Sequence, residues 1–212
     1  MTISKITLKT RLISLMAAIF SVAVSQAQEV YRVEGSPAAV QLRTNGLYDL
    51  ALCPNVGLEI QTDIGLAFQL DYIGAWWSKD SRHRYWQNYA FQTELRYYLA
   101  SRSSDTPFLG HHVGIYGQLA TYDFEFGGTG VQCNRLDNSW GIGVAYGYRV
   151  SLSRHFSMDF TLGLGYFHSK YTQYVPNNDW YKAEKWKKLK WYGPTRLEVT
   201  FVWNINNKDE SR

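Results

Sequence analysis

The chain has 212 residues, 22 of them basic and 18 acidic, for a formal net charge of +4, too weak a field to argue for nucleic acid. Aromatics make up 16% and charged residues only 19%, the opposite of a disordered composition. No apolar run is long enough to cross a bilayer as a helix, and two Cys exclude a disulfide scaffold or a four-Cys zinc site.

Residues 1–27 read as a secretory signal peptide. Lys5, Lys9 and Arg11 precede the apolar stretch Leu12 to Val24, and Ser25-Gln26-Ala27 offers small residues at a cleavage site. Residues 28–212 are then one domain, close to neutral and reached by export.

From Val40 onward the hydrophobic period is 2 rather than 3.6. Trp140, Ile142, Val144, Tyr146, Tyr148 and Val150 alternate with Gly141, Gly143, Ala145, Gly147 and Arg149. Phe156 to Tyr166 and Leu197 to Ile205 alternate in the same way. Eight such segments lie near 40–52, 56–62, 65–77, 86–99, 108–124, 139–152, 156–174 and 194–205. Several have the length of a tilted transmembrane strand. Tight links around Asp63, Ser101 to Thr106 and Ser153 to His155 face longer ones at Ser78 to Tyr85, Gly127 to Asn138 and Val175 to Trp191. Short turns at one end and longer loops at the other are the pattern of an outer-membrane barrel. The fold expected is all-β: an eight-stranded antiparallel up-and-down transmembrane β-barrel with a filled polar lumen.

Two features favour lipid over water outside that barrel. Aromatics gather at the strand ends: Trp76, Trp77, Tyr85, Trp86, Tyr122, Trp140, Trp191 and Tyr192 at the outer side, and Tyr97, Phe108, Tyr148, Phe156 and Trp203 at the inner. The face opposite the apolar one carries charges in mid-strand: Arg43, Asp49, Glu59, Asp71, Glu94, Arg96, Arg149, Asp159, Arg196 and Glu198. Eight strands enclose an interior that side chains fill, so these ten are expected to form a paired network in a plugged lumen. Gly141, Gly143, Gly147, Gly163 and Gly165 make room for it. A soluble periplasmic ligand-binding barrel is the competing architecture.

The ordered set Leu42-Arg43-Thr44-Asn45-Gly46-Leu47-Tyr48-Asp49, Pro54 to Ile60, Gln92 to Tyr98, Gly141 to Tyr148 and Tyr192-Gly193-Pro194-Thr195 resembles a domain-of-unknown-function family of small outer-membrane β-barrels common in Bacteroidetes. The resemblance covers nearly all of residues 28–212. It implies an integral barrel of a Gram-negative outer membrane with no assigned activity. The occurrence of members near fimbrial genes adds the expectation of a surface-structure role. An assembly signal would be internal here, ending at Trp203.

Sites of chemistry are few. No phosphate-binding loop or paired-His zinc motif occurs, and no cofactor or metal is expected. His111 and His112 are adjacent and face opposite sides of a strand. His168-Ser169 near the outer rim is the one candidate for a barrel enzyme acting on lipid or peptide, against the expectation of a non-enzymatic barrel. Cys53 and Cys133 both fall on the outer side, where a disulfide and two separate thiols are both open. The last outer loop places Trp180, Tyr181, Lys182, Lys185, Trp186, Lys187, Lys188, Lys190 and Trp191 together. It suits outer-leaflet lipid and lipopolysaccharide, or a glycan or surface-protein partner; the compartment argues against nucleic acid.

Overall fold

Period-2 alternation gives each strand one large apolar face and one small or polar face. The fold has to find two different environments for them. In the computed structural model, which describes residues 39–62, 65–79, 84–99, 109–153, 155–177 and 180–205, it does so by closing a sheet on itself. The signal-peptide reading of residues 1–27 lies outside the described residues, as do Phe108 and the link at Ser101 to Thr106.

The strands are β1 (Ala39–Asn45), β2 (Asn55–Gln61), β3 (Leu66–Lys79), β4 (Arg84–Tyr98), β5 (Gly110–Phe126), β6 (Gly130–Cys133), β7 (Ser139–Ser151), β8 (Phe156–Asn177) and β9 (Trp180–Asn204). All pairings are antiparallel, and β1 closes the ring on β9 through Gln41↔Asn204 to Asn45↔Thr200. The ring β1-β2-β3-β4-β5-β7-β8-β9 is an eight-stranded up-and-down barrel. The short β6 pairs with β5 and β8 beyond the upper end of β7. Through a single 3-10 turn at Leu136–Asn138 it runs on into β7, so the two together form one interrupted staff. Ala39 and Asn204 lie at one end of the barrel, here the inner end.

The two faces are sorted inside out. Phe68, Ile142 and Leu197 are 51%, 60% and 62% exposed on the outside, while Arg96, Glu59 and Asp159 are at 0% within. A sheet surface of this kind belongs against hydrocarbon, with backbone groups satisfied around a closed ring.

The structure corrects the strand expectations in two places. The segment 40–52 is not one strand. Asn45 ends β1 and caps a helical turn, α1 (Gly46–Leu50), its side chain accepting the Leu47 N–H at 3.0 Å. At the outer end, the three expected loops are largely strand. β3 and β4 run on to Lys79 and Arg84, β6 occupies the second loop, and β8 and β9 extend to Asn177 and Trp180. The cross-strand pair Trp76–Tyr89 holds the β3–β4 extension as a hairpin, and Trp86–Phe124 ties that hairpin to β5.

The wall is uneven as a result. With seven residues in β1, the seam rises about 18 Å at a tilt of about 40°, short of the roughly 25 Å apolar band of such barrels. The notch above it, between the upper halves of β3 and β9, is occupied by α1 and the link to β2. The Gly74 N–H donates to the Pro54 carbonyl at 2.9 Å. The indole N–H groups of Trp77 and Trp86 donate to the carbonyls of Leu52 and Ala51 at 2.6 and 3.1 Å. Leu50 and Leu52 point outward, exposed. On the β9 side the notch edge carries Pro194, which removes a donor where no partner strand exists.

Of the inner-face glycines expected to make room for the charged network, Gly163 does so for Arg196, while Gly141, Gly143, Gly147 and Gly165 make room for other side chains and for backbone. A Cβ on Gly141 would meet the Gln118 side chain, on Gly147 the His112 ring, and on Gly163 Arg196 and Tyr116. At Gly143 it would lie 2.5 Å from both the Leu164 carbonyl oxygen and the Tyr116 hydroxyl. Because one of these is backbone, Gly143→Ala is expected to destabilise the barrel by about 1–3 kcal/mol, read as a lower midpoint of urea unfolding in micelles.

Candidate functional site

Arg43 on β1, Glu59 on β2, Asp71 on β3, Glu94 and Arg96 on β4, Arg149 on β7, Asp159 on β8, and Arg196 and Glu198 on β9 all point into the lumen, and the ring brings them together. Glu59 is central. It is reached by Arg149 at 2.7 Å, Arg43 at 3.1 Å and Arg96 at 3.5 Å. Asp159 receives Arg96 at 2.8 Å and Arg149 at 2.9 Å. Arg96 forms a two-pronged pair with Glu94, both bonds 3.0 Å, and Arg196 bonds to Glu94 and, at 2.8 Å, to Glu198. Asp71 closes the set, 3.2 Å from Arg43 and 3.7 Å from Arg196. Forked guanidinium–carboxylate pairing of this kind suits a dry interior, because each planar donor serves two acids at once.

Asp49 is the exception and is corrected. It sits on α1, exposed, with its carboxylate turned back to the Thr44 hydroxyl at 2.8 Å and the Asn55 amide at 2.9 Å. The early end of β1 removes it from the period-2 parity that placed it inside.

The charges share the lumen with neutral polar groups. The Tyr98 hydroxyl donates to Glu59 at 2.9 Å, and the Gln61 amide does so at 2.8 Å. Gln41 accepts from Arg149 at 2.7 Å. His112 is fully buried with Nε2 3.1 Å from Asp159. Parity would have found it, since His112 stands opposite Tyr98 and Gly147. His111 faces out, stacked on Tyr146 and bonded to its hydroxyl at 2.6 Å. With Arg96 and Arg149 spanning the bore at this level, the lumen is filled. The folded protein is expected to show no stable open-channel current in a planar bilayer, a discrete conductance being the contrary result.

His168 and Ser169 are not brought together. His168 lies outside against Trp140, ring centroids 5.9 Å apart. Ser169 is buried on the other face, bonded to the Tyr122 hydroxyl at 2.7 Å.

Cys53 and Cys133 are free and buried, so the disulfide is set aside. Cys53 packs with Ile73, Ala75 and Ala90 under α1, whereas Cys133 is on β6 opposite Tyr122. Each Sγ approaches a nearby carbonyl, of Ala51 and Arg135 respectively. Labelling of the folded protein by a thiol-reactive maleimide is expected to be slow and to become complete on unfolding, with identical gel mobility with and without reductant.

The last outer segment is a strand pair rather than a loop. The side chains of Trp180, Tyr181, Lys182 and Lys185 lie outside the described residues. Trp186, Lys187, Lys188, Lys190 and Trp191 are exposed on β9. Register shifts after Gly163 and after Thr172 change which β9 side chains share a face with β8. Trp191 stands opposite Phe167 and Lys187 opposite Tyr171, on the lumen side, while Lys188 and Lys190 stand opposite Lys170 and His168 on the outside. Part of the expected outer girdle therefore rings the mouth instead. Trp86 packs on the inner cluster and Tyr122 bonds inside, while Trp76, Trp140 and Tyr192 remain on the outer face.

An inside-out eight-stranded barrel with an ion-filled lumen is the class these features define. The chain belongs to the family described as "Protein of unknown function (DUF3575)", whose model matches residues 12–205. Among solved structures it is similar to Neisserial surface protein A (NspA), at 17% identity and a TM-score of 0.38, over 80% of this chain and 99% of that one. No curated protein matches the chain.

Proposed function

We propose that this protein is an integral outer-membrane barrel of a Gram-negative envelope, exported by residues 1–27, with a structural, adhesive or surface-assembly role rather than an enzymatic one. The inversion of burial carries the reading: the outer wall is apolar and the interior is ionic. In water such a wall would be an exposed apolar surface far larger than soluble monomers tolerate; in a bilayer it is the solvent-facing surface. The extended outer hairpins would hold Lys188, Lys190 and Trp186 above the outer-leaflet headgroups, where ammonium groups meet the phosphates of lipopolysaccharide and indoles sit at the interface. Any glycan or protein partner, fimbrial subunits among them, would meet these hairpins first.

Cell fractionation tests the proposal. The protein should stay with outer membranes through an alkaline carbonate wash and run faster on a gel unheated than boiled. Recovery in the soluble periplasmic fraction would overturn the reading in favour of a soluble ligand-binding barrel.

A further inference from the structure

Above the ion network the lumen changes character. Gln92 on β4 stands opposite Gln118 on β5, and one layer further out Ala90 stands opposite Ala120. Two long amides followed by two methyl groups leave a space that nothing in the wall fills. It is a cavity of about 160 Å³. Ile73, Ala90 and Ala120 give it an apolar floor, the Phe167 ring walls one side, and Tyr48 of α1 closes the seam side. The amides of Asn88, Gln92 and Gln118 also line it, and no charged side chain does. Asn88, Gln118 and Phe167 are only half-buried, so the space opens toward the mouth, where Trp86 and Trp191 stand.

Gln92 shows that the cavity has an unmet requirement. It is 6% exposed. Its Nε2 donates to the Tyr48 hydroxyl at 3.1 Å, but its Oε1 is buried without a partner. A buried acceptor left unmatched is unfavourable, and a turn of the Gln92 side chain that brings this oxygen to a guest's donor removes that cost.

We infer that this cavity is a binding site for one neutral sugar residue presented from the outer side. Size suits a single small ring: a cavity of roughly 150 Å³ takes benzene, and the bulkier ring of a sugar would seat one face here with its remaining hydroxyls in the open mouth. The absence of lining charge disfavours an ionic guest, which would lose hydration without compensation. A plain acyl chain would fit the floor but offer nothing to Gln92 Oε1. A pyranose meets both demands: its C–H face lies on Phe167 and Tyr48, and its hydroxyls donate to and accept from the three amides. The sugar could come from free surface glycans or from a glycolipid of the same membrane; the chemistry at the cavity is shared.

The test uses the full-length folded barrel, refolded into a detergent without a sugar headgroup and titrated with the methyl glycosides of glucose, galactose, mannose and N-acetylglucosamine. Saturation-transfer NMR should detect at least one glycoside, with an affinity of about 1 mM or weaker as expected for a single ring. Ala120→Leu, which fills the space without touching the ion network, should abolish the signal. Gln92→Leu should weaken binding at least about tenfold, and if it fails to fold, Ala120→Leu carries the same test. No transfer to any glycoside in the wild type, or transfer that survives Ala120→Leu, would overturn the inference. Protein extracted from native outer membranes distinguishes the sources. If it binds glycosides only after lipopolysaccharide is stripped away, the resident sugar is a glycolipid's; if it binds as the refolded protein does, the sugar comes from outside.

Discussion

Arg149→Met is expected to lower the unfolding free energy of the barrel by about 3–5 kcal/mol, the usual cost of removing one partner from a buried ion pair. The guanidinium serves Glu59 at 2.7 Å, Asp159 at 2.9 Å and Gln41 at 2.7 Å, so its loss leaves two fully buried carboxylates under-compensated. Methionine fills much of the volume, which keeps the effect electrostatic rather than one of packing. Arg149→Lys should recover only part of the loss, because one ammonium cannot reach both acids with the geometry of a planar fork. Pairing the change with Glu59→Gln should cost less than the two single changes added together, by at least about 1 kcal/mol, since the double variant no longer strands a charge. Urea unfolding in micelles, followed by heat-modifiable mobility and tryptophan emission, reads the four variants against the wild type. Wild-type stability in Arg149→Met would show that the lumen charges are hydrated rather than mutually paired.

How this network could be read before any coordinates follows from the parity of strands. Once Ile142 and Leu162 are assigned outward, Arg149 and Asp159 can only point inward, and a closed ring of eight strands leaves them nowhere to go but toward one another. Parity fixes the direction of each side chain wherever the chain stays extended without a bulge. Asp49 reads as inward because 40–52 alternates well enough to pass for a strand. What the alternation could not reveal was the Asn45 side chain capping a turn at Leu47, a local bond that takes the backbone out of the sheet. Trp191, which the sequence places in the last outer loop and in the aromatic belt at that end, faces the lumen for a reason that sequence pattern does not carry. The bulge between Gly163 and Leu164 adds one residue to β9 and exchanges its faces from there upward, and a one-residue slip moves every side chain to the other side. The cavity was illegible for a third reason. It arises from Ala90 meeting Ala120 across a strand pair, and that register is a property of the assembled sheet rather than of either segment. The extended hairpins read as loops in the sequence because strands that rise beyond the apolar wall no longer need an apolar face: from Trp186 to Lys190 the period disappears while the hydrogen-bonded ladder continues.

The sorting of faces predicts a depth-dependent cost that only a bilayer would impose. Leu162 stands in the middle of the apolar wall, opposite Leu197 on one side and Tyr146 on the other, and all three are exposed. Leu162→Arg should destabilise the barrel by about 2–4 kcal/mol, the cost of arginine near the hydrocarbon midplane on a barrel's lipid face. Trp203→Arg, at the inner aromatic rim beside Phe156, should cost less, about 1–2 kcal/mol, because there the guanidinium reaches headgroups and the main loss is the stacked contact with Phe156. Refolding titrations into phosphatidylcholine vesicles give both values. In a soluble barrel the order would change. Leu162→Arg would put a charge on a water-facing surface at almost no cost, and Trp203→Arg would lose a stacked aromatic contact and become the more damaging of the two. The ranking of two single substitutions on the same outer face therefore decides between lipid and water as the solvent of this fold.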